Sequence, residues 1–423
     1  MKSQRILKIT IALLIVLCSL FSMTSCLIDI GAFYQDMMEN QGGDEGGWTP
    51  GTPIFPNPDN DSKEDNKEDN KVEQPGEFYP GSGSANTENV PALQQTLLST
   101  VSIISTTSSG VSAGSGIIYS IDKEKGDAFI ITNYHVVYDK NNKVSSDISV
   151  YLFGMELSGY AIPATYVGGS NDFDVAVLHI SGSKTIQNSY AKAVTFGDSD
   201  KLHIFDSVYV VGNPEGFGIA ATSGMISVVS EELEIEGANG SDVSLRVIRI
   251  DAAVNGGNSG GGLYDANGQL IGIVCAKRIG DDIDNIGYAI PSGLVKNLAD
   301  NIIYHCFNTS STQVNRAMMG VTITAKITGI VVDPETGNIS EAEIVEITEV
   351  SAGSLAEGKL QAGDVINSIT VDGKTITVNR LHHVTDHMLN ARVGSTVVIN
   401  ITRAGQSINI TFTISQSNIT LVS

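Results

Sequence analysis

The chain has 423 residues, enough for two or three domains that each have a hydrophobic core. Only 17% of the residues are charged and 44 are glycine, which favours short strands and turns over long charged helices. The net charge of −22 argues against binding to a phosphate backbone, so no nucleic-acid partner is expected.

Residues 1–25 have the pattern of an export signal. Basic residues precede the apolar run IALLIVLCSLF, and MTSC follows it. MTSC resembles the lipobox of bacterial lipoproteins, which implies cleavage before Cys26 and lipidation of that cysteine. An uncleaved membrane anchor is the alternative, because Ile6 to Met23 is close to the length that spans a bilayer. Both alternatives place the chain at the cell membrane, facing outside the cytoplasm.

Residues 26–89 have the composition of an acidic tether. QGGDEGGWTPGTPIFPNPDN is rich in glycine and proline, and KEDNKEDNK has no apolar period. Such a segment buries too little apolar surface to offset the entropy lost on ordering, so we expect it to be disordered. We expect it to act as a spacer between the membrane and a folded body.

From about Val90 onward, short β-branched runs alternate with Gly, Asn, Asp and Ser. Examples are VSIIS, AFIITNYHVV, ISVYLF and LRVIRI, and Asn267-Gly268 is the signal of a tight hairpin. Strands at this spacing predict an all-β barrel or sandwich. A helix in SGLVKNLADNIIYHC is expected to close this first domain, which we place at residues 90–307.

Two cysteines, Cys275 and Cys306, lie in the predicted folded part. Cys275 stands in the apolar run LIGIVCA and is expected to be a small buried residue. The sequence is compatible with a disulfide between them and with two free thiols.

A second unit of mixed α and β character follows at residues 316–416. Strands are predicted in EIVEITEV, DVINSITVDG and TVVINITRAG, and a helix around RLHHVTDHMLNA. His382, His383 and His387 lie in this helix without any further ligand pattern, so they are interpreted as surface or groove-lining histidines. We therefore expect neither a metal site nor another cofactor.

Three polar residues of the first domain suit nucleophilic catalysis. His135 ends an apolar strand in TNYHVV, Asp174 precedes the strand VAVLHI, and Ser259 lies in GGNSGGG. A serine hydroxyl becomes a nucleophile when a histidine accepts its proton and a carboxylate orients that histidine. The order His, Asp, Ser is the chymotrypsin order. It argues against the α/β-hydrolase arrangement, in which a helix follows the serine and the histidine comes last.

The glycines around Ser259 indicate a second catalytic feature. The oxyanion formed during acyl transfer needs fixed N–H donors about 3 Å away. Glycine permits a tight turn and close approach of the substrate. The backbone of Gly257, Asn258 and Ser259 is therefore the candidate oxyanion hole, with the N–H groups of Gly257 and Ser259 as donors.

Several motifs follow one another through the first domain: TNYHVV, DVAVLHI, VTFGDSDKL, IDAAVNGGNSGGGLYDANGQLIGI and IGYAIPSGLV. Together they resemble the HtrA/DegP family of trypsin-like serine proteases. The resemblance implies a mainly β fold with a chymotrypsin-like double β-barrel. It also implies that His135 is the general base, Asp174 its orienting acid and Ser259 the nucleophile. Asp172 is set aside because the family's aspartate directly precedes the V-A-V-L strand.

At three positions the sequence departs from the family pattern. Gly256 replaces a frequent Pro or Arg, Gly262 replaces a frequent Pro or Ala, and Phe205 stands at a turn position that is usually Gly. None of these changes removes a catalytic group. The additional glycine at position 256 is expected to loosen the candidate oxyanion loop.

The same resemblance predicts the primary specificity pocket. The residue six before the nucleophile, Ala253, corresponds to the pocket floor, and Ile273 is expected to form its wall. An uncharged floor leaves a Lys or Arg side chain unpaired, and a buried unpaired charge is strongly disfavoured. We therefore expect cleavage after small or medium aliphatic residues such as Val, Ala or Ile.

The second unit resembles the PDZ domains of this family, a small α+β fold, in AGSLAEGKLQAGDVINSITVDGKTI. Such domains bind C-terminal tails by strand addition, and backbone N–H groups capture the terminal carboxylate. Met319, Gly320 and Val321 match the carboxylate-binding loop. The helix around Leu381 to Leu389 is expected to line the groove.

The resemblance implies a membrane-tethered homotrimer that hydrolyses unfolded or damaged extracytoplasmic proteins without ATP. One alternative is a regulatory protease that cuts a single membrane signalling protein. Another is an inactive protease fold that serves as a chaperone or adaptor, against which the intact triad argues.

Overall fold

The structure is a computed structural model that describes residues 90–107, 110–138, 143–156, 160–275, 286–334 and 336–422. The predicted signal peptide, Cys26 and the predicted tether lie outside these residues. Within the ranges given, no helix has the length and apolar character needed to cross a membrane.

The first part of the fold is an antiparallel sheet of seven strands around an aliphatic core. Register shifts in two strand pairs bend the sheet, and inward side chains such as Val101, Ile103 and Leu178 have no exposed surface. The strands are β1 (Thr100–Thr107), β2 (Gly110–Asp122), β3 (Asp127–Thr132), β4 (Asp147–Leu152), β5 (Ile162–Pro163), β6 (Thr165–Ser170) and β7 (Val175–Ile180), paired in the order β5-β4-β1-β2-β3-β7-β6.

The second part is a closed barrel of six strands. Its interior is filled by aliphatic side chains such as Val208, Ile250 and Leu263. The predicted hairpin at Asn267-Gly268 joins two of its strands, and Gly268 has a φ of +71°. The strands are β8 (Ser207–Gly212), β9 (Ala220–Glu236), β10 (Asp242–Ile250), β11 (Gly262–Tyr264), β12 (Leu270–Cys275) and β13 (Gly287–Pro291), and the barrel order is β10-β13-β12-β11-β8-β9.

A third core lies where the seven-stranded sheet, the barrel and the longest helix meet. This helix covers Ser292–Cys306, as expected from its apolar spacing, and buries Leu298 and Ile302. Cys275 and Cys306 are both buried and not joined to each other, so the disulfide that the sequence allowed is not formed. The helices of this part are α1 (Ala92–Gln95), α2 (Tyr134–Val137), α3 (Lys184–Gln187) and α4 (Ser292–Cys306), with 3-10 turns at Thr96–Leu98, Ser199–Lys201 and Pro214–Gly216.

The C-terminal module is an α+β unit with its own core. Ile347, Ile369, Ile399 and Phe412 are almost fully buried between its sheet and one helix. The elements are β14 (Val314–Ala317), β15 (Val321–Val332), β16 (Ile339–Val350), β17 (Val365–Val371), β18 (Lys374–Thr377), α5 (Leu381–Met388), β19 (Thr396–Arg403), β20 (Gln406–Thr413), a 3-10 turn (Gln416–Asn418) and β21 (Ile419–Val422). The sheet order is β15-β16-β17-β19-β20, β18 pairs with β17, and β14 pairs with β21.

The predicted mainly β, chymotrypsin-like architecture followed by a small α+β unit is confirmed. Within the described residues only the second of the two β units closes into a barrel, while the first remains a bent sheet.

Candidate active site

His135 and Asp174 are directly bonded. His135 lies in α2, just after β3, and its Nδ1 is 2.8 Å from Asp174 Oδ2 and 3.0 Å from Oδ1. The backbone N–H of His135 also donates to Asp174 Oδ1, at 3.1 Å. Because a carboxylate only accepts hydrogen bonds, Nδ1 carries the ring proton and Nε2 has the lone pair. The imidazole is therefore held in the form that a general base requires.

The two side chains differ sharply in exposure. The Asp174 side chain is 1% exposed, whereas that of His135 is 22% exposed. Asp174 has a φ of +50°, which is uncommon for a residue other than glycine, and its carbonyl accepts a hydrogen bond from Asn133 Nδ2 at 2.9 Å. A buried carboxylate in an uncommon backbone conformation thus orients an imidazole that solvent reaches.

Ser259 lies in a loop that is bonded to the seven-stranded sheet. Its carbonyl accepts a hydrogen bond from the Ser115 N–H of β2 at 2.8 Å, and Ser115 Oγ donates to the Gly257 carbonyl at 2.7 Å. Thr132 Oγ1 in turn donates to the Ser115 carbonyl at 2.7 Å. Since Thr132 ends the strand that leads into His135, these bonds bring the serine loop to the part of the sheet next to His135.

Two glycines of this loop are required by space as well as by conformation. Gly257 has a φ of +89°, and a Cβ there would lie 2.2 Å from the Asn213 carbonyl oxygen. Gly260 has a φ of +83°, and its Cβ would lie 2.2 Å from the Ser115 carbonyl oxygen. The glycine-rich sequence around Ser259 therefore produces a tightly packed turn.

The three predicted oxyanion-hole residues are consecutive in this turn, but their N–H groups differ. The Asn258 N–H donates to the Asn255 carbonyl at 3.1 Å and is used within the turn. That the N–H groups of Gly257 and Ser259 are the oxyanion donors stays a prediction.

The predicted specificity residues have different environments. Ala253 is exposed, and its carbonyl accepts a hydrogen bond from Thr222 Oγ1 at 2.8 Å. Ile273 has no exposed surface and packs in the core between the two β units with Leu270 and Ile290. The assignment of Ile273 to the pocket wall is therefore wrong for this structure, because a fully enclosed side chain does not contact a substrate.

Two residues of the site were missed from the sequence. The Cys275 thiol lies 3.4 Å from Asp174 Oδ2, and Ser115 links the serine loop to the sheet. Neither has a local signal, because a cysteine in an apolar strand and a serine in GSGIIYS are typical of structural positions.

His135, Asp174 and Cys275 also offer ligand atoms within 4.8 Å of one another. The direct 2.8 Å bond between His135 and Asp174 is shorter than the separation of about 3.4 Å that a tetrahedral zinc ion imposes on its ligand atoms. The arrangement therefore fits an acid–base pair better than a metal site.

In the C-terminal module, Met319, Gly320 and Val321 form the turn that enters β15. The Gly320 carbonyl accepts from the Ser351 N–H at 2.8 Å, and the Met319 carbonyl accepts from the Ala356 N–H at 3.1 Å. Gly320 has a φ of +77°, and a Cβ there would lie 2.2 Å from the Ser354 Cβ. The turn is thus held by the segment that follows β16.

A bent antiparallel sheet, a barrel, a buried Asp–His pair and a serine in a tight glycine turn define a trypsin-like serine protease. In agreement, residues 114–273 match the family described as trypsin-like peptidase domain. The chain is 31% identical over 322 residues to the serine protease Do-like HtrA of Lactococcus lactis subsp. cremoris. The matched region covers 72% of this chain and 71% of that protein. The chain belongs to the HtrA family of serine proteases.

Other relatives agree with this assignment. The serine protease Do-like HtrA of Bacillus subtilis is 33% identical over 308 residues, and the match covers 70% of this chain but 61% of that protein. The periplasmic serine endoprotease DegP of Escherichia coli is 31% identical, with 72% of this chain and 57% of DegP covered. The chain thus spans about three fifths of these two relatives. Among solved structures, the HtrA-type protease AlgW with tripeptide has a TM-score of 0.50 at 29% identity, covering 77% of this chain and 95% of that one.

Proposed function

We propose that this protein is a membrane-tethered serine endopeptidase that hydrolyses unfolded or damaged extracytoplasmic proteins through His135, Asp174 and Ser259. The observation that carries the proposal is the buried Asp174 carboxylate bonded to His135 Nδ1, which leaves Nε2 to accept a proton. We place the protease domain at residues 90–307.

In the proposed reaction, Ser259 Oγ transfers its proton to His135 Nε2 as it attacks the substrate carbonyl. The N–H groups of Gly257 and Ser259 stabilise the resulting oxyanion. His135 then gives the proton to the leaving amine, and an acyl-enzyme remains. A water molecule, deprotonated by the same histidine, attacks the ester, and His135 returns this proton to Ser259 Oγ as the second product leaves.

The exposed, uncharged Ala253 supports a preference for small or medium aliphatic residues at the cleaved position, since it offers no carboxylate to a basic side chain. A peptide library that was cut efficiently after Arg would contradict this preference.

We also propose that residues 316–416 form a PDZ domain that binds C-terminal tails between β15 and α5. Val321, Ile323 and Leu381 are only partly buried along these two elements, which suits an apolar C-terminal side chain. The turn at Met319, Gly320 and Val321 then receives the terminal carboxylate.

Membrane attachment, location and assembly are proposals drawn from the family. The lipobox-like MTSC supports lipidation of Cys26, and the relative from Escherichia coli is named as a periplasmic enzyme. We propose a homotrimer, attached to the membrane and facing outside the cytoplasm.

Labelling of the full-length protein with a fluorophosphonate probe tests the catalytic proposal. The wild type is expected to be labelled and the Ser259→Ala variant not, because the probe reacts with an activated serine. An unlabelled wild type, unable to degrade denatured casein, would leave the chaperone or adaptor alternative.

Casein degradation with and without C-terminal peptides tests the substrate range. Degradation without peptide supports general quality control, whereas strict dependence on one C-terminal sequence supports the regulatory alternative.

A further inference from the structure

Away from His135, Asp174 and Ser259, three side chains of types that bind metal ions lie close together where the protease domain contacts the C-terminal module. Asp200, in the 3-10 turn Ser199–Lys201, faces His382 and His383 in the first turn of α5. His382 Nε2 lies 3.2 Å from Asp200 Oδ1, and His383 Nε2 lies 3.4 Å from Asp200 Oδ2. One potential ligand atom from each residue lies within 4.8 Å of the others.

The hydrogen bonding of His383 indicates a cation at this point. Its Nδ1 lies 3.0 Å from the Thr377 carbonyl, which only accepts hydrogen bonds, so Nδ1 carries the proton and the neutral ring has a lone pair on Nε2. This Nε2 is buried and has no hydrogen-bond partner among the described residues. The His383 Nε2 atom lies 3.4 Å from Asp200 Oδ2. In the neutral histidine, the lone pair of this nitrogen would face a lone pair of the carboxylate oxygen, which is unfavourable. A metal ion between the two atoms, or a second proton on the ring, removes this repulsion.

The spacing fits a small transition-metal ion. Zinc bonds of about 2.1 Å to nitrogen and oxygen in a tetrahedral site place ligand atoms about 3.4 Å apart. The distance from His382 Nε2 to Asp200 Oδ1 is 3.2 Å and that from His383 Nε2 to the other oxygen, Oδ2, is 3.4 Å, so each histidine lies close to this value from one oxygen of the carboxylate. Zinc-bound histidines usually donate their other ring N–H to a carbonyl or carboxylate, as His383 does.

The exposure of the three side chains leaves room for a fourth ligand. The Asp200 side chain is 46% exposed, whereas those of His382 and His383 are 15% and 11% exposed. The two imidazoles are thus held by the protein, their rings packed edge to face at 4.8 Å. Solvent reaches the site from the carboxylate side, where water can complete the coordination.

We propose that Asp200, His382 and His383 bind a Zn²⁺ ion that fastens the C-terminal module to the protease domain. Asp200 is 182 residues from His382 in the sequence, so the site is complete only when the two parts are in contact. An ion that binds this arrangement, and not the separated parts, stabilises it. From the sequence, His382 and His383 are interpreted as surface or groove-lining residues because no further ligand pattern lies near them in the chain. The protease domain supplies a further ligand, Asp200.

Isothermal titration of the chelator-treated, full-length protein with Zn²⁺ tests the proposal. We expect one ion per chain, with affinity at least about tenfold lower in Asp200→Asn and in His383→Gln. The matched control is His203→Gln, since His203 lies three residues from Asp200 and its Nδ1 contacts Asn338 at 3.3 Å. Zn²⁺ is expected to raise the melting temperature of the wild type and of this control, but not of the other two variants.

Cobalt substitution distinguishes this site from the group of His135, Asp174 and Cys275. Co²⁺ at the proposed site is expected to give tetrahedral d–d bands without a thiolate charge-transfer band, because no cysteine takes part. Absence of Zn²⁺ binding in the wild type would overturn the proposal. A proton on His383 Nε2 would then explain its contact with Asp200 Oδ2. Binding that is unchanged in the Asp200 and His383 variants, or a thiolate band lost in Cys275→Ala, would also overturn it.

Discussion

The serine loop and the face between the protease domain and the C-terminal module are held together in different ways. In the loop, most bonds involve backbone groups, as between the Ser115 N–H and the Ser259 carbonyl, and two glycines leave no space for a side chain. At the domain face, long side chains make the contacts. Arg246 pairs with Asp386, and Asn301 Nδ2 donates to the Leu389 carbonyl at 2.7 Å.

This difference explains why the serine loop can be recognised from a sequence motif, whereas the face between the two domains cannot. A backbone turn needs glycine at particular positions, so it leaves a short local motif. A side-chain contact between distant segments needs only a suitable partner on each, such as Arg392 over the Tyr304 ring at 3.4 Å. Substitutions in the loop should therefore affect catalysis first, and substitutions at the domain face should affect stability first.

The largest effect is expected for Asp174→Asn. An amide can accept a hydrogen bond but does not stabilise the imidazolium, and it favours the wrong tautomer of His135. We expect kcat to fall about 10⁴-fold with little change in the melting temperature, as measured with a peptide substrate.

Asp172→Asn is the matched control, since this exposed carboxylate lies two residues away in the same turn. Its activity should stay within about twofold of the wild type, because surface substitutions rarely matter. Equal losses in the two variants would show that the turn as a whole, and not the Asp174 carboxylate, is required.

Gly257→Ala should lower kcat/KM by about 10² to 10³-fold, the range seen when one oxyanion donor is removed. The new Cβ would lie 2.2 Å from the Asn213 carbonyl oxygen, so the peptide must move. In Gly256→Ala the nearest atom, Glu215 Oε1, is 4.0 Å from the new Cβ and φ is not positive, so near wild-type activity is expected. Similar kinetics for both variants would contradict a fixed role of the Gly257 backbone.

At the domain face, Arg246→Ala should reduce the free energy of unfolding by about 2 to 3 kcal/mol, because it leaves the mostly covered Asp386 carboxylate without its cation and with the Thr385 hydroxyl alone among the described residues. The two side chains are only 10% and 15% exposed. Arg249→Ala, on the same strand, removes a more exposed pair with Glu231 at 3.4 Å and should cost less than about 1 kcal/mol. Urea unfolding in the presence of a chelator measures the free energy of unfolding of both variants. Equal losses would show that the Arg246–Asp386 pair stabilises the protein no more than the exposed Arg249–Glu231 pair.

Much of the fold and the contact between His135 and Asp174 followed from the sequence because they depend on local patterns or on a family motif. The β-branched runs became strands, Asn267-Gly268 became a hairpin, and the motif residues His135 and Asp174 are in contact. In each case neighbouring residues determine the conformation, or a family motif records the contact.

The failures concern orientation and distant contacts. All six residues of β12 are buried, so its sequence has no polar alternation to show which face Ile273 occupies. Likewise, nothing near Asp200 indicates that α5 packs beside it, because that contact depends on how the two parts dock. Cys275 beside Asp174 is hidden for the same reason.

The smallest effect is expected at Phe205, where the family pattern has glycine and the structure has a φ of +78°. Here, unlike at Gly257, only the conformation is strained, since the ring is 78% exposed. Phe205→Gly relieves a left-handed conformation that costs about 1 to 2 kcal/mol but raises the entropy of the unfolded chain, so we expect a gain of about 0.5 kcal/mol. Phe205→Ala keeps the strain and should give no gain in urea unfolding. If Phe205→Ala stabilised the protein as much as Phe205→Gly, the gain would come from removing an exposed ring and not from relieving the backbone. The proposed difference between Phe205, where only the backbone conformation is unfavourable, and Gly257, where space is also lacking, would then be wrong.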